Sequence, residues 1–202
     1  LGIIRISGPQ AVQALSAICS ACRDNSAKPL QANHTYYTHI KDGNTTIDEV
    51  IVTIYRAPHS YTGEDSIEIS CHGSSYILNK VLELLVQNGC RMANPGEFTQ
   101  RAFLNGKMDL SQSEAVADLI SSSSAESHRV AMSQLKGQVS SKIGELRGKM
   151  LELTSLLELE LDFSEEDVEF ADRTKLVSLI DEICAETEKL IRSFEYGNAV
   201  KS

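Results

Sequence analysis

Positive charge is scarce in this sequence, and the scarcity excludes a class of partners. Lys and Arg number 19 against 28 Asp and Glu, a formal net charge of -9. No whole-surface basic footprint is therefore available to hold nucleic-acid phosphates, and any RNA contact must be local. Long apolar runs are absent too: the longest are a few residues, far short of the ~20 that cross a bilayer. The opening "LGIIRIS" has no basic region before it and no small-residue cleavage site after it, so it reads as a strand entered midway rather than a signal peptide. Cysteines number five, odd and without the density of a disulfide scaffold, which points to a reducing compartment and a cytoplasmic location. Cys19 and Cys22 form a C-x-x-C with no second pair at zinc spacing, and are read as packing residues. His34, His39, His59, His72 and His128 show no metal-ligand spacing. No G-x-x-x-x-G-K-[ST], G-x-G-x-x-G or G-x-S-x-G occurs, so neither a phosphate cradle nor a nucleophile elbow is present.

What is present falls into two parts. Leu1 to Ile6 is rich in β-branched residues and stops at Ser7-Gly8-Pro9, after which "QAVQALSAIC" has helical spacing. "HTYYTHI" and "IDEVIVTIYRA" flank the turn Asp42-Gly43-Asn44 and predict a hairpin. "SIEISCH" alternates strictly. Gly73-Ser74 offers a turn and cap, "SYILNKVLELLVQNG" predicts an amphipathic helix ending at Gly89, and "CRMA" a short last strand. The order β-α-β-β-β-α-β implies an α+β domain, a small mixed sheet covered by helices, over residues 1–104.

Residues 105–202 read as part of an α-helical bundle. Ser111 to Glu114 fits a capping box, and from there to Phe163 the pattern is helical without proline. Val139, Ile143, Leu146, Met150, Leu153 and Leu157 form an a/d-type stripe facing a partner helix, Asp172 to Tyr196. The opposite face carries Ser133, Gly137, Ser141, Gly144, Gly148 and Ser155, which indicates either close approach by a further helix or an exposed serine-rich face. Between the helices, the acid-rich stretch Glu158 to Glu169 lacks a calcium-loop pattern and is read as a solvated turn.

Three charged residues stand out by position. Arg5 interrupts an apolar strand and demands a carboxylate. Glu68 alternates away from Ile67 and Ile69, and Lys107 follows the turn Asn105-Gly106. Together they suit a pocket for a ligand with a donor edge at one end and anionic or carbonyl groups at the other. The plainer alternative is an internal Arg5–Glu68 pair and a solvated lysine.

"LGIIRISG", "YTGEDSIEISCHGS", "NPGEFTQRAFLNGKMDLSQSEAVADLI" and "LELDFSEEDVEF" together resemble the MnmE (TrmE) family of tRNA modification GTPases over essentially the whole chain. The resemblance implies an N-terminal domain similar to the folate-binding region of aminomethyltransferase, which dimerises and binds 5-formyltetrahydrofolate. It implies folate contacts at Arg5, Glu68 and Lys107, with His72, Gly73, Phe98 and Phe103 as candidate walls, although the phenylalanines are the better fit to the core. It also implies an FAD-dependent partner, MnmG (GidA), and modification at carbon 5 of the wobble uridine of tRNA. A GTPase domain using GTP, magnesium and potassium, and final helices, are expected beyond Ser202; GTP hydrolysis is not expected of these residues alone. Competing readings are a freestanding folate-dependent one-carbon transferase and a helical scaffold or dimerisation protein.

Overall fold

The structure, a computed structural model, describes residues 1–20, 31–162 and 173–201. They form two compact units, Leu1–Met108 and Asp109–Ser202. The architecture is α+β followed by helices, as the sequence implies.

In the first unit, strands β1 (Gly2–Ser7), β2 (His34–Asp42), β3 (Thr45–Tyr55) and β4 (Ser66–Cys71) make a sheet in the order β1-β4-β3-β2. The helices here are α1 (Ala11–Ile18), α2 (Ser75–Gln87) and α3 (Glu97–Leu104). Period-2 alternation sorts the sheet's two faces. Ile4, Ile6, Ile54, Ile67 and Ile69 turn inward onto Leu15, Ile18, Val81 and Leu85 of α1 and α2, forming one buried cluster. The other face carries Arg5, Glu68 and the row Ile3–Ser70–Ile51–Tyr37, paired across all four strands.

The sheet departs from the expected mixed one, since all its pairings are antiparallel. "CRMA" is not a strand. Arg91 is drawn instead onto the carboxylate of Glu97, whose Oε2 also accepts from Asn94 N at 2.8 Å. That local pairing folds the segment back against the start of α3 and removes it from the sheet.

In the second unit, α4 (Leu110–Ser121), α5 (Ala125–Leu135), α6 (Gln138–Asp162) and α7 (Arg173–Lys201) follow. The predicted continuous helix is broken twice, at Ser122–Ser124 and at Lys136–Gly137. The N-cap of α4 is Asp109 rather than Ser111: Asp109 Oδ1 accepts from Gln112 N at 2.8 Å and Gln112 Oε1 from Asp109 N at 2.9 Å. Gly137 has φ +73°, a left-handed turn that a side chain resists, and it separates α5 from α6.

Helix α4 packs on α5, α5 on α6 and α7, and α6 on α7. The seam of α6 is shifted from the predicted stripe. Leu146 and Leu153 are partly covered as expected, but Lys149 and Leu156 stand between and beyond them, while Ile143, Met150 and Leu157 are exposed. Lys149 donates to Glu186 Oε1 at 2.7 Å and lies 3.2 Å from Glu182 Oε2, both on α7. A Cβ at Gly144 or Gly148 would meet open space, so no helix among the described residues approaches that face closely. The acid-rich stretch lies largely in 163–172, outside the described residues.

Candidate functional site

Arg5 and Glu68 are directly opposed across β1 and β4. The alternation that buries Ile4, Ile6, Ile67 and Ile69 sends both charges to the opposite face. There Arg5 Nε donates to Glu68 Oε1 at 2.9 Å, and Nη2 lies 2.6 Å from the same oxygen. Both donors converge on Oε1, and Oε2 takes neither. The side chains remain 47% and 28% exposed, so this is not a sealed structural pair but one whose outer surface faces solvent.

The pair opens onto a cleft of about 340 Å³, toward the lower end of the ~300–1,000 Å³ usual for small-molecule sites. Its walls include Tyr55, His59, Tyr61, Phe98 and Lys107. The Arg5 guanidinium sits 5.9 Å from the centroid of Phe98, within cation–π range. A second groove of about 440 Å³ runs along the outer edge of β1 and shares Arg5 and Phe98 with the cleft.

Helix α3 carries Phe98 and leads into Lys107. Its first residue, Glu97, is nearly buried and accepts from Arg91, Asn94 N and Arg101, whose Nη2 is at 2.7 Å. The Arg91 guanidinium, then the Asn94 N–H and Arg101, hold the Glu97 carboxyl far below the usual carboxylate range. Arg101 also donates to both oxygens of Glu64, at 3.2 and 3.1 Å, linking α3 to the loop ahead of β4. Lys107 Nζ donates to Pro58 O at 3.0 Å, so its ammonium is tethered at the cleft rather than loose in solvent.

The three residues singled out in the sequence thus line one cleft. Of the candidate walls, Phe98 is there and is not core, and Phe103 is exposed and lies outside the lining. His72 lies elsewhere: its Nδ1 is 2.7 Å from Oδ1 of the buried Asp48, whose Oδ2 accepts from His72 N at 2.9 Å. Cys19 is buried beneath the sheet, while Cys22 falls outside the described residues. Sequence reasoning missed Tyr55, which ends β3, and His59 and Tyr61, which lie in the loop after it. It missed the Glu64–Arg101–Glu97 chain as well, although Glu97 and Arg101 stand one helical turn apart. Among the described residues no cluster of His, Cys, Asp and Glu could hold a metal ion, and no helix is long and apolar enough to cross a membrane.

An α+β unit with a charged cleft, followed by a helical unit, is the class the geometry defines. Residues 1–107 match the family model described as the GTP-binding protein TrmE N-terminus, and residues 110–202 match the MnmE helical domain. The chain belongs to the MnmE (TrmE) family. Among similar proteins, the tRNA modification GTPase MnmE of Bacteroides thetaiotaomicron is 58% identical over 203 residues, covering 100% of this chain and 44% of the relative. Proteins of the same description from Flavobacterium johnsoniae and Cytophaga hutchinsonii are each 50% identical over 202 residues, covering 100% of this chain and 43% of each relative. The chain therefore spans less than half the length of these relatives.

Proposed function

We propose that this chain is the folate-binding and dimerising part of a tRNA-modifying GTPase, with residues 1–104 forming the ligand domain and 105–202 the first part of the helical domain. The observation that carries the ligand reading is the half-exposed Arg5–Glu68 pair with Oε2 left open, in a cleft that Lys107 also lines. The residues fit a reduced folate. Glu68 offers a carboxylate oxygen to the ring N–H and amino group of a pterin, a charge-assisted pairing. Arg5 holds that carboxylate in place, while Phe98, Tyr55 and Tyr61 provide flat apolar walls. Lys107 presents an ammonium for a formyl carbonyl or a glutamate-tail carboxylate.

When bound, 5-formyltetrahydrofolate or a related tetrahydrofolate supplies a one-carbon unit. These residues bind and orient it; the sequence contains no phosphate-binding loop, so GTP, magnesium and potassium belong to the remainder of the longer relatives. In the full assembly the reaction is modification of carbon 5 of the tRNA wobble uridine in the cytoplasm, with an FAD-dependent MnmG (GidA) partner. The apolar row Ile3, Ile51 and Tyr37 on the open sheet face supports a homodimer through the first unit. Calorimetric titration with 5-formyltetrahydrofolate tests the reading. Saturable binding that Glu68→Ala abolishes is expected, and equal binding by the variant would remove Glu68 from the site.

A further inference from the structure

Thr62 and Gly63, in the loop between β3 and β4, are tied to all three cleft charges. Thr62 is completely buried, and its hydroxyl is fully engaged. Its Oγ1 lies 2.6 Å from Ser7 Oγ and 3.2 Å from Ser66 Oγ, and accepts from Glu64 N at 3.3 Å. Ser7 and Ser66 are cross-strand partners, one alternation along from the Arg5–Glu68 pair on the same face. The Thr62 carbonyl accepts from Asn105 Nδ2 at 2.7 Å, two residues before Lys107.

Gly63 acts on the third charge directly. It has φ +78°, and a Cβ there would stand 3.2 Å from Cγ of Lys107. The lysine stem therefore crosses the bare backbone of Gly63 on its way to Pro58 O. A methyl group at this point would crowd the Lys107 stem and Asn105 Cβ, which also lies 3.2 Å away, and would strain the left-handed backbone, so it costs stability as well as displacing the ammonium.

We propose that the Thr62–Gly63 turn is the positioning element of the cleft. The buried hydroxyl locks together the strand ends that bear Arg5 and Glu68, and the glycine admits the Lys107 stem, so that a ligand meets three charges at a fixed spacing. This rests on the folate reading above. Neither residue is required to touch the ligand; Thr62 acts through Ser7 and Ser66 on the strand ends, and Gly63 through the Lys107 stem.

The test is a double-mutant cycle of Gly63→Ala with Lys107→Ala in the full chain. It is read by calorimetric affinity for 5-formyltetrahydrofolate and, without ligand, by the rate at which an amine-acylating reagent labels Lys107, followed by mass spectrometry. Gly63→Ala is expected to weaken binding by roughly tenfold when Lys107 is present and by distinctly less when it is absent, where only the strain of the left-handed backbone remains. Labelling of Lys107 is expected to change in the Gly63→Ala protein. Thr62→Val, which keeps shape but strips the hydroxyl from its three partners, is expected to weaken binding, and Thr62→Ser to restore it. Equal losses in both lysine backgrounds, or unaltered labelling, would overturn the proposal. A parent protein that binds no folate while its Lys107 labelling still responds to Gly63→Ala would remove the folate reading and leave the positioning role standing.

Discussion

The two units of this chain are stabilised in different ways. The first buries its β-branched residues between one sheet face and two helices; Ile54, Ile67, Ile69, Leu15 and Val81 have essentially no exposed surface. In the second, Ala115, Ala131 and Leu179 are buried, while Ile120, Ile143, Met150, Leu161 and Val177 stand half-exposed or more. A sheet with one covered face closes its own core. A helix must find partners around a much wider arc, and two long helices touching along one seam leave the rest of their apolar surface open. The difference accords with the proposed function, in which the first unit would hold the ligand.

The largest effect that would break this comparison is a cavity in the sheet core. Ile67→Ala is expected to cost about 4 kcal/mol in urea unfolding, against about 0.5 kcal/mol or less for Ile143→Ala on the exposed side of α6. Equal costs would show that the helical unit is as tightly packed as the sheet. Leu179→Ala comes next, at about 2 kcal/mol, because Leu179 is 8% exposed within the α6–α7 seam. Amide hydrogen exchange should place that loss in α6 and α7 and leave β4 protected.

The third test uses acid. The folded carboxyl of Glu97 is depressed by Arg91, Asn94 N–H and Arg101, so its contribution is complete above the ordinary glutamate value of about 4.3 and fades as pH falls below it. Glu97→Gln should lower the melting temperature of the first unit at neutral pH and flatten its decline between about pH 5 and pH 2. An unchanged acid limb would remove Glu97 as the anchor of α3. The smallest perturbation is chemical labelling. Burial, with Asp48 nearby, pushes the Cys71 thiol up to about 11, whereas Cys184 on α7 is exposed. At pH 8 a thiol reagent should modify Cys184 readily and Cys71 only on unfolding.

Much of the first unit was legible because strand alternation is a strong signal. Arg5 interrupted an apolar strand and Glu68 alternated away from two isoleucines, and the register placed them face to face. Lys107 was legible only as a residue after a glycine turn; its tether to Pro58 O depends on a loop distant in sequence. "CRMA" was misread because its strand propensity is local, whereas the pull of Glu97 on Arg91 is a contact made only after α3 forms. In the second unit an aspartate and a glutamine satisfied the capping box two residues before the serine and glutamate that suggested it. The seam shifted because Lys149, polar by type, packs its stem inward and reaches two glutamates across the helix pair. Thr62 gave no warning at all, since a loop threonine carries no periodicity and its importance lies in three partners drawn from separate strands and turns.

The direct opposition of Arg5 and Glu68 makes them alignment marks for the sheet as well as members of a cleft. A slip of one residue between β1 and β4 would carry a charge beneath α1 and α2, where no water could solvate it, and would turn isoleucines outward. A chain that assembles these two strands one residue out of step thus loses its cleft and its core in a single event.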